Sequence, residues 1–240
     1  MDNKSAPMFL RQLFDAETWT YTYLVADPSS GKAALIDPVL EQVDRDLRLI
    51  DELGFELSYV LETHVHADHI TGAGALRDRT GANTVAHARG AACIDSHVID
   101  GDKLSLGSVT IEVLGTPGHT DDSLSYRVGD HVFTGDALLI RGSGRADFQN
   151  GDPATLFNSI TQVLFALPDA TTVWPGHDYK GRTCSTIGEE KRHNLRVAGK
   201  SVAEFIDIMN NLGLPAPRKL SIAVPANRQC GNVATERSAR

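Results

Sequence analysis

Cysteine is scarce: 240 residues contain only Cys93, Cys184 and Cys230, with no Cys-x-x-Cys pair among them. This excludes a dense disulfide framework and a thiolate zinc site, and the three side chains are expected to be free thiols. Positive charge is also short, with 23 Lys and Arg against 31 Asp and Glu and a net charge of -8. No stripe of Lys and Arg gathers on any predicted element, so a nucleic-acid partner would lack its electrostatic footprint. No stretch approaches the roughly 18 consecutive apolar residues of a membrane-spanning helix. Residues 1–7 carry mixed charge without an apolar segment. The expectation is a cytoplasmic protein with neither a nucleic-acid partner nor a membrane span.

What remains has an ordinary globular balance, 41% hydrophobic and 22% charged. No Pro/Gly-rich linker divides the chain, so a single domain over residues 1–240 is expected, and a domain of this size buries about 70–75% of its unfolded surface. Phe9–Phe14, Thr18–Ala26 and Ala33–Asp37 read as an antiparallel β-meander. Leu40, Val43, Leu47, Ile50 and Leu53 recur at helical spacing before Gly54, and Leu57–Leu61 is a buried strand. A helix over Ile70–Arg79 ending at Gly81 and a strand over Thr84–Ala88 complete a βαβ alternation. Further strands are expected at Ser108–Leu114, Leu124–Val128, His131–Thr134 and Thr171–Trp174, the middle pair joined by a Gly129-Asp130 hairpin turn. Helices are expected at Pro153–Leu167, with Asp152 as N-cap, and at Ser201–Leu212.

The densest chemistry follows the Leu57–Leu61 strand, in Thr63-His64-Val65-His66-Ala67-Asp68-His69. In extended backbone His64, His66 and Asp68 project to one side, and neutral imidazoles beside a carboxylate suit zinc or iron. Three more metal-type residues follow strand ends: His119 after Gly118, Asp136 after Gly135 and His177 after Gly176. A histidine or a Gly-Asp pair alone is usually a surface side chain or a turn. Their joint recurrence at strand ends, beside glycines that let backbone pass close to a buried site, points to one metal centre. By residue type there are ligands for two metals, His64, His66 and His119 for one, Asp68, His69 and His177 for the other, with Asp136 bridging. Such a pair would activate water for hydrolysis.

The order His-x-His-x-Asp-His, Gly-His, Gly-Asp, Gly-His resembles the metallo-β-lactamase superfamily, over almost the whole chain. The resemblance implies an α/β fold, a four-layer αββα sandwich with its metal site at one edge of the facing sheets. Within that superfamily, Thr134-Gly135-Asp136-Ala137-Leu138-Leu139-Ile140-Arg141-Gly142, Gly144-Arg145 with Asp147-Phe148-Gln149, His177-Asp178-Tyr179 with Gly181, and the tail Ala223-Val224-Pro225-Ala226-Asn227 with Cys230-Gly231 are similar to the persulfide dioxygenases. Those enzymes oxidise glutathione persulfide with O2 and water to sulfite and glutathione on one non-haem Fe(II), and often form homodimers. The resemblance implies that His64, His119 and Asp136 hold iron, one ion per chain. Two histidines and a carboxylate on one face leave three positions of an octahedral ion open, enough for a persulfide sulfur and O2, which a closed tetrahedral zinc site cannot seat. His66, Asp68, His69, His177 and Tyr179 would then surround the metal, orienting its ligands, holding water or excluding a second ion. Arg141 and Arg145, just past Asp136, are candidates to grip a glutathione carboxylate, and Tyr179 is a candidate to bond substrate or a metal ligand.

Two rivals stand beside this reading. A glyoxalase II-type hydrolase would cleave hydroxyacylglutathione thioesters with a dinuclear centre and use all seven ligands. A non-catalytic metal or persulfide sensor would bind without turnover.

Overall fold

A computed structural model describes residues 8–232. The first sheet comprises β1 (Phe9–Asp15), β2 (Thr20–Asp27), β3 (Lys32–Ile36), β4 (Glu56–Leu61), β5 (Asn83–His87) and β6 (Ser96–Val98), side by side in chain order. β1 to β3 form the expected antiparallel meander and β3 to β6 run parallel. Parallel neighbours need crossover connections, and α1 (Val43–Glu52) and α2 (Ala73–Thr80) supply two of them. The second sheet comprises β7 (Lys103–Leu106), β8 (Val109–Gly115), β9 (Leu124–Val128), β10 (His131–Gly135), β11 (Thr172–Pro175) and β12 (Ser185–Thr186), again in chain order. β9 and β10 pair as the expected hairpin. Four more helices follow: α3 (Pro153–Asn158), α4 (Ile187–His193), α5 (Val202–Asn210) and α6 (Leu220–Asn227).

Because successive strand residues face opposite sides, each sheet feeds two apolar layers. Tyr23, Ile36, Leu61 and Val85 of the first sheet meet Ile111, Val113, Tyr126 and Phe133 of the second in a cluster between them. Leu24, Leu35 and Val60 face outward onto Val43, Ile50 and Leu76 of α1 and α2. Val132 and Val173 face outward onto Leu156, Phe205 and Met209 of α3 and α5. The layers are helix, sheet, sheet, helix, which is the αββα sandwich implied by the family resemblance. Each large apolar side chain so buried contributes about 1.5–3 kcal/mol, so the facing sheets form a rigid frame for the loops at their edge.

Several elements depart from expectation. The helix of residues 70–79 starts only at Ala73, because Ile70 and Gly72 commit their backbone to Leu40 and Pro38, each at 2.8 Å. Asp152 caps α3 as expected, but after Asn158 the chain widens into a π turn, Ser159–Val163, and then tightens into a 3-10 turn. There Ser159 Oγ donates to the Pro117 carbonyl at 2.6 Å, tying the helix to the loop beside it. α6, where no helix is expected from the sequence, contains Pro225 in its interior.

The expectation of three free thiols is corrected. Cys93 and Cys230 form a disulfide across 137 residues, and only Cys184 is free. The loop after β5 and the end of α6 meet only in the folded chain, with the two Cα atoms 5.9 Å apart, so linear spacing could not signal the pair. No helix among the described residues is long and apolar enough to cross a membrane.

Candidate metal centre

Four strand ends deliver the site. β4 runs into residues 62–70, which carry His64, His66, Asp68 and His69 outside any helix or strand. β8 leads to His119, β10 ends at Gly135 directly before Asp136, and β11 ends two residues before His177. Gly144 and Gly176 are required by this crowding. A Cβ at Gly144 would stand 2.7 Å from His119 Nδ1, and one at Gly176 would stand 2.6 Å from Asp136 Oδ1.

Three residues present uncommitted donor atoms to one point. The Thr63 hydroxyl donates to Asp37 Oδ2 at 2.8 Å, so at 2.9 Å from His64 Nδ1 it can only accept, which places the ring proton on Nδ1 and bares Nε2. His119 Nδ1 lies 2.6 Å from the Arg145 carbonyl, which fixes the same tautomer and bares its Nε2. Asp136 Oδ1 accepts from His177 Nδ1 at 2.7 Å, and its Oδ2 faces His119 Nε2 at 3.8 Å. The ligand atoms of His64, His119 and Asp136 all lie within 4.8 Å of one another. Burial, reinforced by neighbouring His66 and His119, holds the His64 imidazole well below its usual pKa, so its lone pair stays available. This is a two-histidine, one-carboxylate donor set, and it fits a non-haem Fe(II) ion.

Of the remaining metal-type residues, His177 and Asp68 are bonded to each other, whereas His66 Nδ1 and His69 Nε2 are buried without a partner. His177 is bonded on both nitrogens, to Asp136 Oδ1 and, at 2.9 Å, to Asp68 Oδ2. Burial disfavours its charge, but the two carboxylates outweigh burial and keep it protonated. Asp68 Oδ2 also takes His69 Nδ1 at 2.9 Å and the Thr20 hydroxyl at 3.2 Å. Against burial, His177 and His69 hold Asp68 well below the usual carboxylate range. His66 Nε2 sits 3.1 Å from Asp37 Oδ1 and 3.4 Å from Glu62 Oε2, inside ion-pair range though without hydrogen-bond alignment. Burial opposes a charge there too, and the two carboxylates prevail. Asp37, Glu62 and His66 thus converge as a second buried group, and His66, Asp68 and His69 as a third.

Tyr179 stacks on His177, with ring centroids 5.9 Å apart and planes at 9°, and is 61% exposed. The arginines are drawn into the protein. Arg141 pairs with Glu189 and Glu190 of α4. Arg145 grips both oxygens of Asp147 at 2.6 and 2.7 Å and donates to the Pro215 and Leu214 carbonyls, leaving one N–H free. Both guanidiniums therefore have structural uses that the linear sequence did not reveal.

Sequence reasoning gave no site role to Thr20, Asp37, Glu62 or Asn227, the last named only as the end of its tail motif. Asp37 was within reach: β3 and β4 are parallel neighbours, so the residue after Ile36 must lie beside those after Leu61. Asn227 Nδ2 donates to the carbonyls of His66 and His69, both at 2.8 Å, from 158 or more residues away, and nothing local marks it.

The metallo-beta-lactamase superfamily model matches residues 20–92 and 94–177. The chain is 47% identical over 229 residues to the mitochondrial persulfide dioxygenase ETHE1 of Homo sapiens, covering 94% of this chain and 90% of that one. The crystal structure of ETHE1 from Myxococcus xanthus matches with a TM-score of 0.93 and 61% identity, covering 93% of this chain and 100% of that one. A hydroxyacylglutathione hydrolase of Methylobacterium sp. is 37% identical over 161 residues, covering 65% of this chain and 61% of that one. The chain belongs to the metallo-beta-lactamase superfamily and, within it, to the persulfide dioxygenases.

Proposed function

We propose that this protein oxidises glutathione persulfide with O2 and water to sulfite and glutathione at a single Fe(II) held by His64, His119 and Asp136. The observation that carries the one-metal reading is the accounting of donor atoms. His64 Nε2, His119 Nε2 and Asp136 Oδ2 remain uncommitted, whereas Asp68 and His177 are bonded to each other. A second cation would have to break that bond to recruit His177, both of whose ring nitrogens are taken.

When bound, Fe(II) supplies a redox-active centre able to take sulfur and dioxygen as ligands together. The chain's own residues set the conditions around it. Thr63 and the Arg145 carbonyl fix the imidazole tautomers, so both histidines offer a lone pair without a proton rearrangement. His177 holds Asp136 through Oδ1, leaving Oδ2 for the metal, and links it to Asp68. Protons released during turnover have a route there, from His177 Nε2 to Asp68 and on toward Thr20 and His69. Tyr179, exposed and stacked on His177, is a candidate to contact substrate, and Arg145 keeps one N–H that could serve a substrate carboxylate. Homodimeric assembly and a cytoplasmic setting belong to the same reading, with light scattering and cell fractionation as their checks.

Metal analysis of protein produced in iron-rich medium, paired with O2 uptake on glutathione persulfide, tests the proposal. One iron per chain with O2 consumption is expected. Two metals with cleavage of hydroxyacylglutathione would transfer the protein to the thioester hydrolases, and correct iron loading without turnover would make it a sensor.

A further inference from the structure

The metal-bearing segment after β4 has no ladder of its own, so its backbone must find partners elsewhere. One side chain supplies three. Asn227, at the end of α6, donates to the His66 and His69 carbonyls and accepts from the Thr71 amide, each at 2.8 Å. It is 4% exposed, and its amide group thereby sets the path of the chain between His64 and α2.

α6 itself is poorly anchored by apolar contact. Its only buried residues are Ala223, Ala226 and Asn227, while Ile222 is 56% exposed. Two alanines remove little apolar area from water. The ion pairs of Lys219 with Glu17 and Glu41, at 3.6 and 3.7 Å, lie at the surface and hold weakly. Three residues after Asn227 stands Cys230, 1% exposed and disulfide-bonded to Cys93. The Cys230 carbonyl accepts from the Gly74 amide at 3.0 Å, an approach so close that a Cβ at Gly74 would lie 2.5 Å from it. A small cavity lined by His64, Glu62, Thr71, Asn227 and Cys230 separates this junction from the metal ligands.

We propose that Asn227 is a positioning residue for the metal-binding segment and that the Cys93–Cys230 disulfide is a thiol-cleavable clasp that keeps it in place. Reduction of the clasp loosens α6, frees the His66 and His69 carbonyls, and weakens the protein's hold on its metal. The inference rests on His64, His119 and Asp136 being the metal centre and not on the identity of the substrate.

The chemistry is thiol–disulfide exchange. The thiolate of a low-molecular-weight thiol attacks Cys93 Sγ, the more accessible sulfur, since Cys93 is half-buried and Cys230 buried. The S–S bond breaks, and its electron pair leaves on Cys230 Sγ, which takes up a proton. A second thiolate attacks the sulfur of the first, the mixed S–S bond breaks with its electron pair leaving on Cys93 Sγ, which takes up a proton, and two protein thiols and one small-molecule disulfide result. Glutathione, the thiol product of the proposed reaction, belongs to this reductant class.

The experiment loads the oxidised full-length protein with iron, incubates it with or without glutathione, and follows metal transfer to a chromogenic chelator. Alkylation and mass spectrometry count thiols in parallel. Reduction is expected to raise the alkylated cysteines from one to three and to speed metal release about tenfold or more. Cys93→Ser should release metal at the fast rate with or without glutathione. Asn227→Ala should do so with the disulfide intact, and so should Asn227→Asp, which can still accept from Thr71 but cannot donate to the His66 and His69 carbonyls. Amide exchange should accelerate at Thr71 and Gly74 on reduction while β2 and β10 stay protected. Unchanged metal release once three thiols are counted would overturn the clasp, as would acceleration spread evenly through both sheets. A protein that takes up no metal at all would instead overturn the metal centre.

Discussion

On one side of Asp136, His64 and His119 turn bare Nε2 atoms toward the carboxylate's free oxygen. On the other side, His177 spends both ring nitrogens, one on Asp136 and one on Asp68 Oδ2. The residue types are the same in both halves, and their hydrogen-bond partners make the difference. A neutral backbone carbonyl or a committed threonine hydroxyl behind a histidine orients the ring and leaves a lone pair in front. Two carboxylates around a histidine keep it protonated and leave none. Ligand capacity is therefore decided by what stands behind each imidazole.

The strongest way to break this contrast is Asp136→Ala, which removes a ligand atom from one half and the anchor of His177 from the other. Iron content should fall to background and O2 uptake with it, read by elemental analysis and an oxygen electrode. Next comes Gly144→Ala, whose new methyl would collide with His119 Nδ1 and the Asp136 carbonyl. Metal affinity is expected to fall about 10–100-fold in a chelator competition, with the circular dichroism of the fold retained. His177→Ala should be milder for the metal: one iron per chain persists, while turnover drops by about 10–100-fold. If metal content instead halves from two per chain, the two halves are equivalent after all and the contrast fails.

The smallest effect uses a buried carboxylate without a histidine partner. Asp46 is fully buried, and desolvation pushes its pKa up to about 6 despite the adjacent Arg45. A carboxyl raised in the folded state favours folding most below its unfolded pKa, and that advantage is lost as pH rises through about 6. The thermal midpoint of wild type relative to Asp46→Asn should therefore fall between pH 4 and 7, by an amount equivalent to no more than about 3 kcal/mol. Asp68, held low by His177 and His69, has the opposite sign. A flat difference curve for Asp46→Asn would show that histidine partnership is not what separates the two carboxylates.

Much of this was legible along the chain. His119, Asp136 and His177 each follow a glycine at a strand end, and in an α/β sandwich the ends of parallel strands face one edge, so their convergence with His64 follows from topology. Gly144 and Gly176 were legible as glycines and gained their reason only from the distances to His119 and Asp136. Arg145 illustrates the limit. Its charge and place beside Asp136 suggested a carboxylate ligand, yet the carboxylate it grips is Asp147, two residues away, while its own backbone oxygen orients His119.

The sequence by itself determined the order of strands and helices, the strand ends that bear the candidate ligands and the donor types, because these follow from side-chain periodicity, glycine placement and the chemistry of imidazole and carboxylate, while the layering was implied by the family resemblance. Only the tertiary structure decided which donor atoms remain free, that Asp37 and Glu62 occupy His66, and that Cys93 and Cys230 meet beside Asn227. Those outcomes depend on which groups from distant segments stand within about 3 Å of one another, and linear spacing carries no record of that.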